Sequence, residues 1–128
     1  MLKKTIKYTD YNDVERNEDF YFNLSKSELV ELEASVDGGL SEYIQKIVKE
    51  LNPHKIMDMF KNIILLSYGV KSDDGKRFIK SEDLKLSFYQ SEAYSNLLME
   101  LASDADAAAA FINGIVPKMP NKTAELSA

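Results

Sequence analysis

The chain has 128 residues, the length of one domain, and its apolar fraction of 45% and charged fraction of 29% are ordinary for a globular protein. The absence of cysteine excludes a disulfide framework, a thiolate zinc site and a cysteine nucleophile. A net charge of −5 and only two arginines, Arg16 and Arg77, argue against nucleic acid as a partner. The longest aliphatic run, Ile63–Leu66, is far too short to span a membrane, and no secretory signal is expected.

The N-terminal segment has the alternation of a β-hairpin. Ile6 and Tyr8 alternate with polar residues, and so do Phe20, Phe22 and Leu24. The intervening stretch 10–18 is polar and rich in turn-forming residues. A two-stranded hairpin is marginal by itself, so we expect the face with Phe20, Phe22 and Leu24 to dock on helices.

Helical signals begin at the capping box formed by Ser25 and Glu28. The first helix is predicted to end at Gly38–Gly39, and a second amphipathic helix is predicted over Leu40–Leu51. The third is predicted to begin at Pro53 and to end at Gly69.

The stretch 71–80 is predicted to be a polar connection. Three further helices follow, one starting at Ser81, one carrying Tyr94 and Leu97, and one starting near Asp104. The expected fold is mainly α (α+β), an N-terminal β-hairpin packed on five to six short helices. Residues 1–117 are expected to form a single globular domain, and 118–128 a mobile polar tail.

Four features could carry chemistry, and each has a simpler explanation. The sequence from Ser72 to Gly75 hints at a calcium loop, but the first and twelfth ligand positions would then fall on Val70 and Ser81, which do not fit. His54 is the single histidine, without a second histidine or a cysteine to share a metal.

The lysines and arginine between positions 71 and 85 could form a nucleic-acid patch, but acidic residues interrupt them. This patch leaves a small nucleic-acid-binding regulator as one alternative function. The acidic pairs Glu28/Glu31 and Asp104/Asp106 are explained by helix structure. We therefore expect no enzyme activity and no cofactor or metal site.

An apolar excess marks the helix over Ile56–Tyr68, whose apolar arc is wider than one small core needs. Met57 and Met59 are predicted to form an outward-facing edge of adaptable side chains. Tyr11 in the hairpin turn and Tyr21 on the second hairpin face are hard to bury within one small domain. Partner binding and simple exposure explain Met57, Met59, Tyr11 and Tyr21 equally well.

Several segments together resemble those of a known family. They are Lys7–Asn12, Val14–Arg16, Glu18–Ser25, Tyr68–Gly69, Asp74–Ser81 and Phe111–Pro117. In them the chain resembles the tail assembly chaperones of long-tailed phages and prophages of Gram-positive bacteria. The resemblance covers residues 5–117 and assigns no particular binding residues.

The resemblance implies a non-enzymatic protein that binds the tape measure protein and keeps it soluble until tail tube subunits polymerise around it. It also implies self-association, the tail tube protein as a further partner, residence in the host cytoplasm and absence from the mature virion. Neither nucleic acid nor membrane is expected as a partner. The alternative is a head–tail connector, a completion protein or another small phage structural protein that remains in the virion.

Overall fold

The protein combines one antiparallel sheet with helices, as a computed structural model that describes residues 1–35, 49 and 53–117 shows. The described strands are β1 (Leu2–Thr9), β2 (Glu15–Phe22), β3 (Tyr68–Lys71) and β4 (Phe78–Ile79). The described helices are α1 (Lys26–Ser35), α2 (Pro53–Ser67), α3 (Glu82–Tyr89), α4 (Glu92–Ser103) and α5 (Ala105–Ile115). The α+β class is therefore confirmed. The predicted helix over Leu40–Leu51, its boundary at Gly38–Gly39 and the predicted tail 118–128 lie outside the described residues.

The predicted hairpin is confirmed, with a shorter turn than the sequence suggested. Strands β1 and β2 pair antiparallel from Leu2 opposite Phe22 to Thr9 opposite Glu15. The Asp10 carboxylate accepts hydrogen bonds from the backbone N–H groups of Asn12 and Val14, at 2.8 and 3.0 Å. These hydrogen bonds form an Asx turn and close the hairpin within residues 10–14, so residues 15–18 belong to β2.

The sheet has two further strands that were not predicted. The sheet order is β1-β2-β3-β4, with Phe22 opposite Tyr68 and Val70 opposite Ile79. The predicted polar connection 71–80 is thus wrong at both ends, which belong to a second hairpin.

Gly69 does not end the preceding helix, because α2 ends at Ser67 and Gly69 lies inside β3. A Cβ atom at position 69 would lie 2.7 Å from the Phe78 ring and 2.8 Å from the carbonyl oxygen of Ile79. Glycine is therefore needed for the close approach of β4 to β3.

The helix starts follow the predicted caps. The backbone N–H of Ser25 donates to the Glu28 carboxylate at 2.8 Å, and that of Glu28 donates to the Ser25 hydroxyl at 3.2 Å, which is a capping box. The Ser81 hydroxyl caps α3. Asp104 ends α4 and accepts from two N–H groups at the start of α5.

The core lies between the sheet and the helices, and the hairpin face docks there as predicted. Phe22 and Leu24 are completely buried, and Phe20 is partly buried. The Phe22 ring contacts the rings of Phe88 and Phe111, with centroids 5.7 and 5.2 Å apart. The hairpin therefore shares one core with α3 and α5.

We expect Phe22→Ala to lower the free energy of unfolding by about 3–5 kcal/mol, because it removes a fully buried ring from a packed core. Urea denaturation followed by circular dichroism measures the change. Val30→Ala, on the exposed side of α1, is the control and should shift the free energy by less than about 0.5 kcal/mol. An unchanged midpoint for Phe22→Ala would show that the hairpin does not depend on this contact.

Candidate protein-binding groove

Helix α2 divides its apolar residues between the core and a second side. Its buried side chains are Met59, Phe60, Ile63, Ile64 and Ser67. Met57, Lys61 and Leu65 follow one another at intervals of four and so share another side of the helix. All three are partly exposed. The wide apolar arc seen in the sequence thus includes Leu65, which packs against the core and still remains partly exposed.

Helix α3 presents a matching stripe. Phe88 is its buried side chain and points into the core. Glu82, Lys85, Leu86 and Tyr89 follow the i, i+3, i+4, i+7 spacing of one helix face. Leu86 is 52% exposed and Tyr89 is 42% exposed, so this face retains apolar surface in contact with solvent.

The two stripes line a groove, which we call the α2–α3 groove. Its wider part has a volume of about 230 Å³ and is lined by Lys61, Leu65, Glu82, Lys85, Leu86 and Tyr89. A neighbouring part of about 200 Å³ shares Leu65, Glu82 and Lys85, and it continues to Leu66, Tyr68, Lys80 and Glu28. We call Leu65, Leu86 and Tyr89 its apolar floor, and the charged side chains beside them its rims. Apolar and charged side chains in this combination suit an amphipathic helix.

The charged rims differ between the two ends of the groove. At one end the Lys61 ammonium lies 5.0 Å from the centre of the Tyr89 ring, within the range of a cation–π contact. At the other end the Lys80 ammonium donates to both oxygens of Glu28, at 2.7 and 2.9 Å, and to the carbonyl oxygen of Asn23 at 2.8 Å. Lys80 and Glu28 therefore form a fixed, neutral pair that fastens α1 beside β4.

The protonation of Glu28 depends on this pair. Partial burial by itself would raise the pKa of the Glu28 carboxyl, but the hydrogen bonds from Lys80 and Ser25 outweigh burial. The pKa of Glu28 therefore lies below its ordinary value, and the carboxylate stays ionised at neutral pH.

Of the four residues predicted from the sequence to bind partners, Met57 and Met59 lie on different sides of α2. Met57 is partly exposed and lies one turn before Lys61 on the same side of α2. Met59 is only 2% exposed and belongs to the core, so the prediction that it faces outward is wrong. Residues two apart on a helix point about 200° apart, and therefore Met57 and Met59 cannot form one edge.

The two predicted tyrosines lie on other surfaces. Tyr11 is 73% exposed at the hairpin tip, and its hydroxyl donates to the Glu92 carboxylate at 3.0 Å. Tyr21 lies on the sheet face opposite Phe20 and Phe22, with the Lys71 ammonium 5.7 Å from its ring centre. Neither tyrosine adjoins the α2–α3 groove, and their role in partner binding stays a prediction.

The other sequence candidates are dispersed. His54 is exposed in the first turn of α2. Ser72 and Asp74 hydrogen-bond each other at 2.7 Å in the β3–β4 turn. No three His, Cys, Asp or Glu side chains lie together as metal ligands would within the part of the chain that the structure describes. None of the described helices has both the length and the apolar character needed to cross a membrane.

Leu86, Tyr89 and Lys61 were not predicted from the sequence as site residues. The signal for the α3 wall was present in the spacing of Glu82, Lys85, Leu86 and Tyr89. That spacing alone does not show which surface the stripe faces. Only the position of α3 across from α2, with the Tyr89 ring centre 5.0 Å from the Lys61 ammonium, shows that the stripe lines a groove.

One protein family matches nearly the whole length of the chain. The model of the family described as phage tail assembly chaperone matches residues 1–127. No curated protein and no solved structure matches the chain. The family match therefore covers every strand, helix and groove residue described above.

We expect the Lys80–Glu28 pair to make stability depend on acid pH. Because the folded-state pKa of Glu28 is lowered, its contribution is present above the ordinary carboxyl pKa and is lost as pH falls through the lower, folded value. Glu28→Gln should lower stability by about 1 kcal/mol or less at neutral pH, since both side chains are partly exposed.

Urea denaturation at a series of pH values tests this expectation. The difference between wild type and Glu28→Gln should shrink as pH falls below about 4.5. Glu31→Gln, an exposed carboxylate on the same helix, is the control. A difference that stays constant down to low pH would contradict the role assigned to the ionised carboxylate.

Proposed function

Because this chain belongs to the phage tail assembly chaperone family, we propose that it binds the tape measure protein and keeps it soluble during tail morphogenesis. The α2–α3 groove is the proposed binding surface for one helical segment of that client. The role requires binding and release alone, so we propose no catalytic step. We also propose that the protein acts in the host cytoplasm and is absent from finished virions.

The observation that carries this proposal is the apolar floor of the groove. Leu65, Leu86 and Tyr89 converge there from two helices and remain partly exposed. An apolar surface between two helices favours the helix-in-groove mode of recognition, with client anchors at spacings of three and four. The eight residues of α3 measure about 12 Å, which matches about two turns of a client helix.

The remaining predicted residues are proposed as further contacts. Met57, one turn before Lys61 on α2, is proposed to contact the client beyond the groove, where its flexible thioether can adapt to different client side chains. Tyr11 and Tyr21 are proposed to contact partners on other surfaces, with the tail tube protein as a candidate. A chaperone that engages a long client and the growing tube needs more than one surface.

We expect Leu86→Glu to weaken client binding about tenfold or more, because it places a charge on the apolar floor. The measurement is co-expression with the tape measure protein, followed by its soluble yield and by a pull-down. Met99→Glu is the matched control, because Met99 is similarly exposed on α4 and lies outside the groove. Wild type and Met99→Glu should keep the client soluble, whereas Leu86→Glu should not.

Two outcomes would contradict the proposal. The first is a wild-type protein that captures no tape measure protein and leaves it insoluble. The second is a fixed amount of this protein in purified virions, which would favour the head–tail connector or completion protein instead.

We also expect the pure protein to form concentration-dependent oligomers, because an exposed apolar groove is covered by another copy when no client is present. Sedimentation velocity over a concentration series measures this. Leu86→Glu should shift the distribution towards monomer, and Met99→Glu should not. A wild-type monomer at every concentration would contradict self-association through the groove.

A further inference from the structure

We propose that the α2–α3 groove selects helices whose apolar stripe is flanked by acidic residues. The inference deepens the proposed function, on which it rests for the natural client. Its physical basis is the pair of lysines that border the apolar floor, Lys61 on α2 and Lys85 on α3. Both lysines line the same part of the groove as Leu65 and Leu86, so a helix lying on these two leucines lies beside both lysines.

The two lysines are weakly compensated by the chain's own carboxylates. Lys85 lies 3.6 Å from Glu82, whose side chain is 92% exposed, and such pairs contribute little. Lys61 contacts the Tyr89 ring and has no carboxylate within ion-pair distance among the described residues. Positive charge is therefore available beside Leu65 and Leu86, although the chain carries a net charge of −5.

The opposite end of the groove is electrically different. Lys80 is held by Glu28 at 2.7 Å and by the Asn23 carbonyl, so its charge is already neutralised within the protein. A client carboxylate would gain little there. The complementarity thus predicts acidic residues beside the client stripe where it lies against Lys61 and Lys85.

The lysine side chains suit this arrangement. Their aliphatic stems can lie along the apolar floor while the ammonium groups reach the flanks of a bound helix. A client glutamate beside each ammonium is attracted, whereas a client lysine is repelled. The groove would therefore discriminate between amphipathic helices of equal hydrophobicity.

Two synthetic helical peptides of about 18 residues test the inference directly. Both carry the same leucine stripe, flanked by glutamates in one and by lysines in the other. We expect the wild-type protein to bind the glutamate peptide about tenfold more tightly at about 50 mM salt, and the preference to shrink at about 300 mM. The net charge of −5 alone favours the lysine peptide, so the expected preference identifies a local effect.

Charge variants locate the effect in the groove. Lys61→Glu/Lys85→Glu should reverse the preference, and Lys61→Arg/Lys85→Arg should retain it. Lys3→Glu/Lys76→Glu makes the same change of net charge at exposed sites outside the groove and should also retain the preference. Circular dichroism checks the folding of each variant, and the wild-type peptide comparison remains decisive if one fails to fold.

The inference is overturned if wild type binds both peptides equally or prefers the lysine peptide. It is also overturned if the control Lys3→Glu/Lys76→Glu loses the preference as fully as the groove variant does. A clear peptide preference without capture of the tape measure protein would refute the proposed function alone. Capture of that protein without a peptide preference would refute the acidic-flank selection alone.

Discussion

The ring of Phe88 determines where α3 lies, and the groove depends on that position. It stacks on Tyr68 with centroids 4.4 Å apart and planes 13° apart, and it also contacts Phe20, Phe22 and Tyr94. An eight-residue helix has little stability by itself, so these contacts and the Ser81 cap must hold it. With Phe88 directed into the core, Leu86 and Tyr89 lie on other sides of α3, where they line the groove together with Lys61 and Leu65 of α2.

The features that the sequence predicted correctly are those with local causes. The β1–β2 hairpin follows from alternation over adjacent residues, and the caps at Ser25, Ser81 and Asp104 bond to N–H groups within three positions. Strands β3 and β4 have no comparable local signal, because they are only four and two residues long. Their formation depends on Phe22 pairing with Tyr68, which is distant in the chain.

The groove residues, like strands β3 and β4, could be predicted only in part from local sequence. The sequence shows a wide apolar arc on α2, but most of that arc packs in or against the core, and composition did not separate Met57 from the buried Met59. On a helix, residues two positions apart point in nearly opposite directions, and this places Met57 and Met59 on different sides of α2. Even then, Leu65 is identified as a groove residue only once α3 lies beside it, and the connection between these helices includes both unpredicted strands.

The two walls of the groove are held with unequal strength, and this difference bears on how a chaperone would work. Five side chains of α2 are buried, whereas α3 is anchored in the core by Phe88 and is shorter by seven residues. Fewer buried side chains therefore hold α3 than α2. Under the proposed function a client helix lies between these two walls, and the contacts of Phe88 with the surrounding rings are what keep the shorter wall in place.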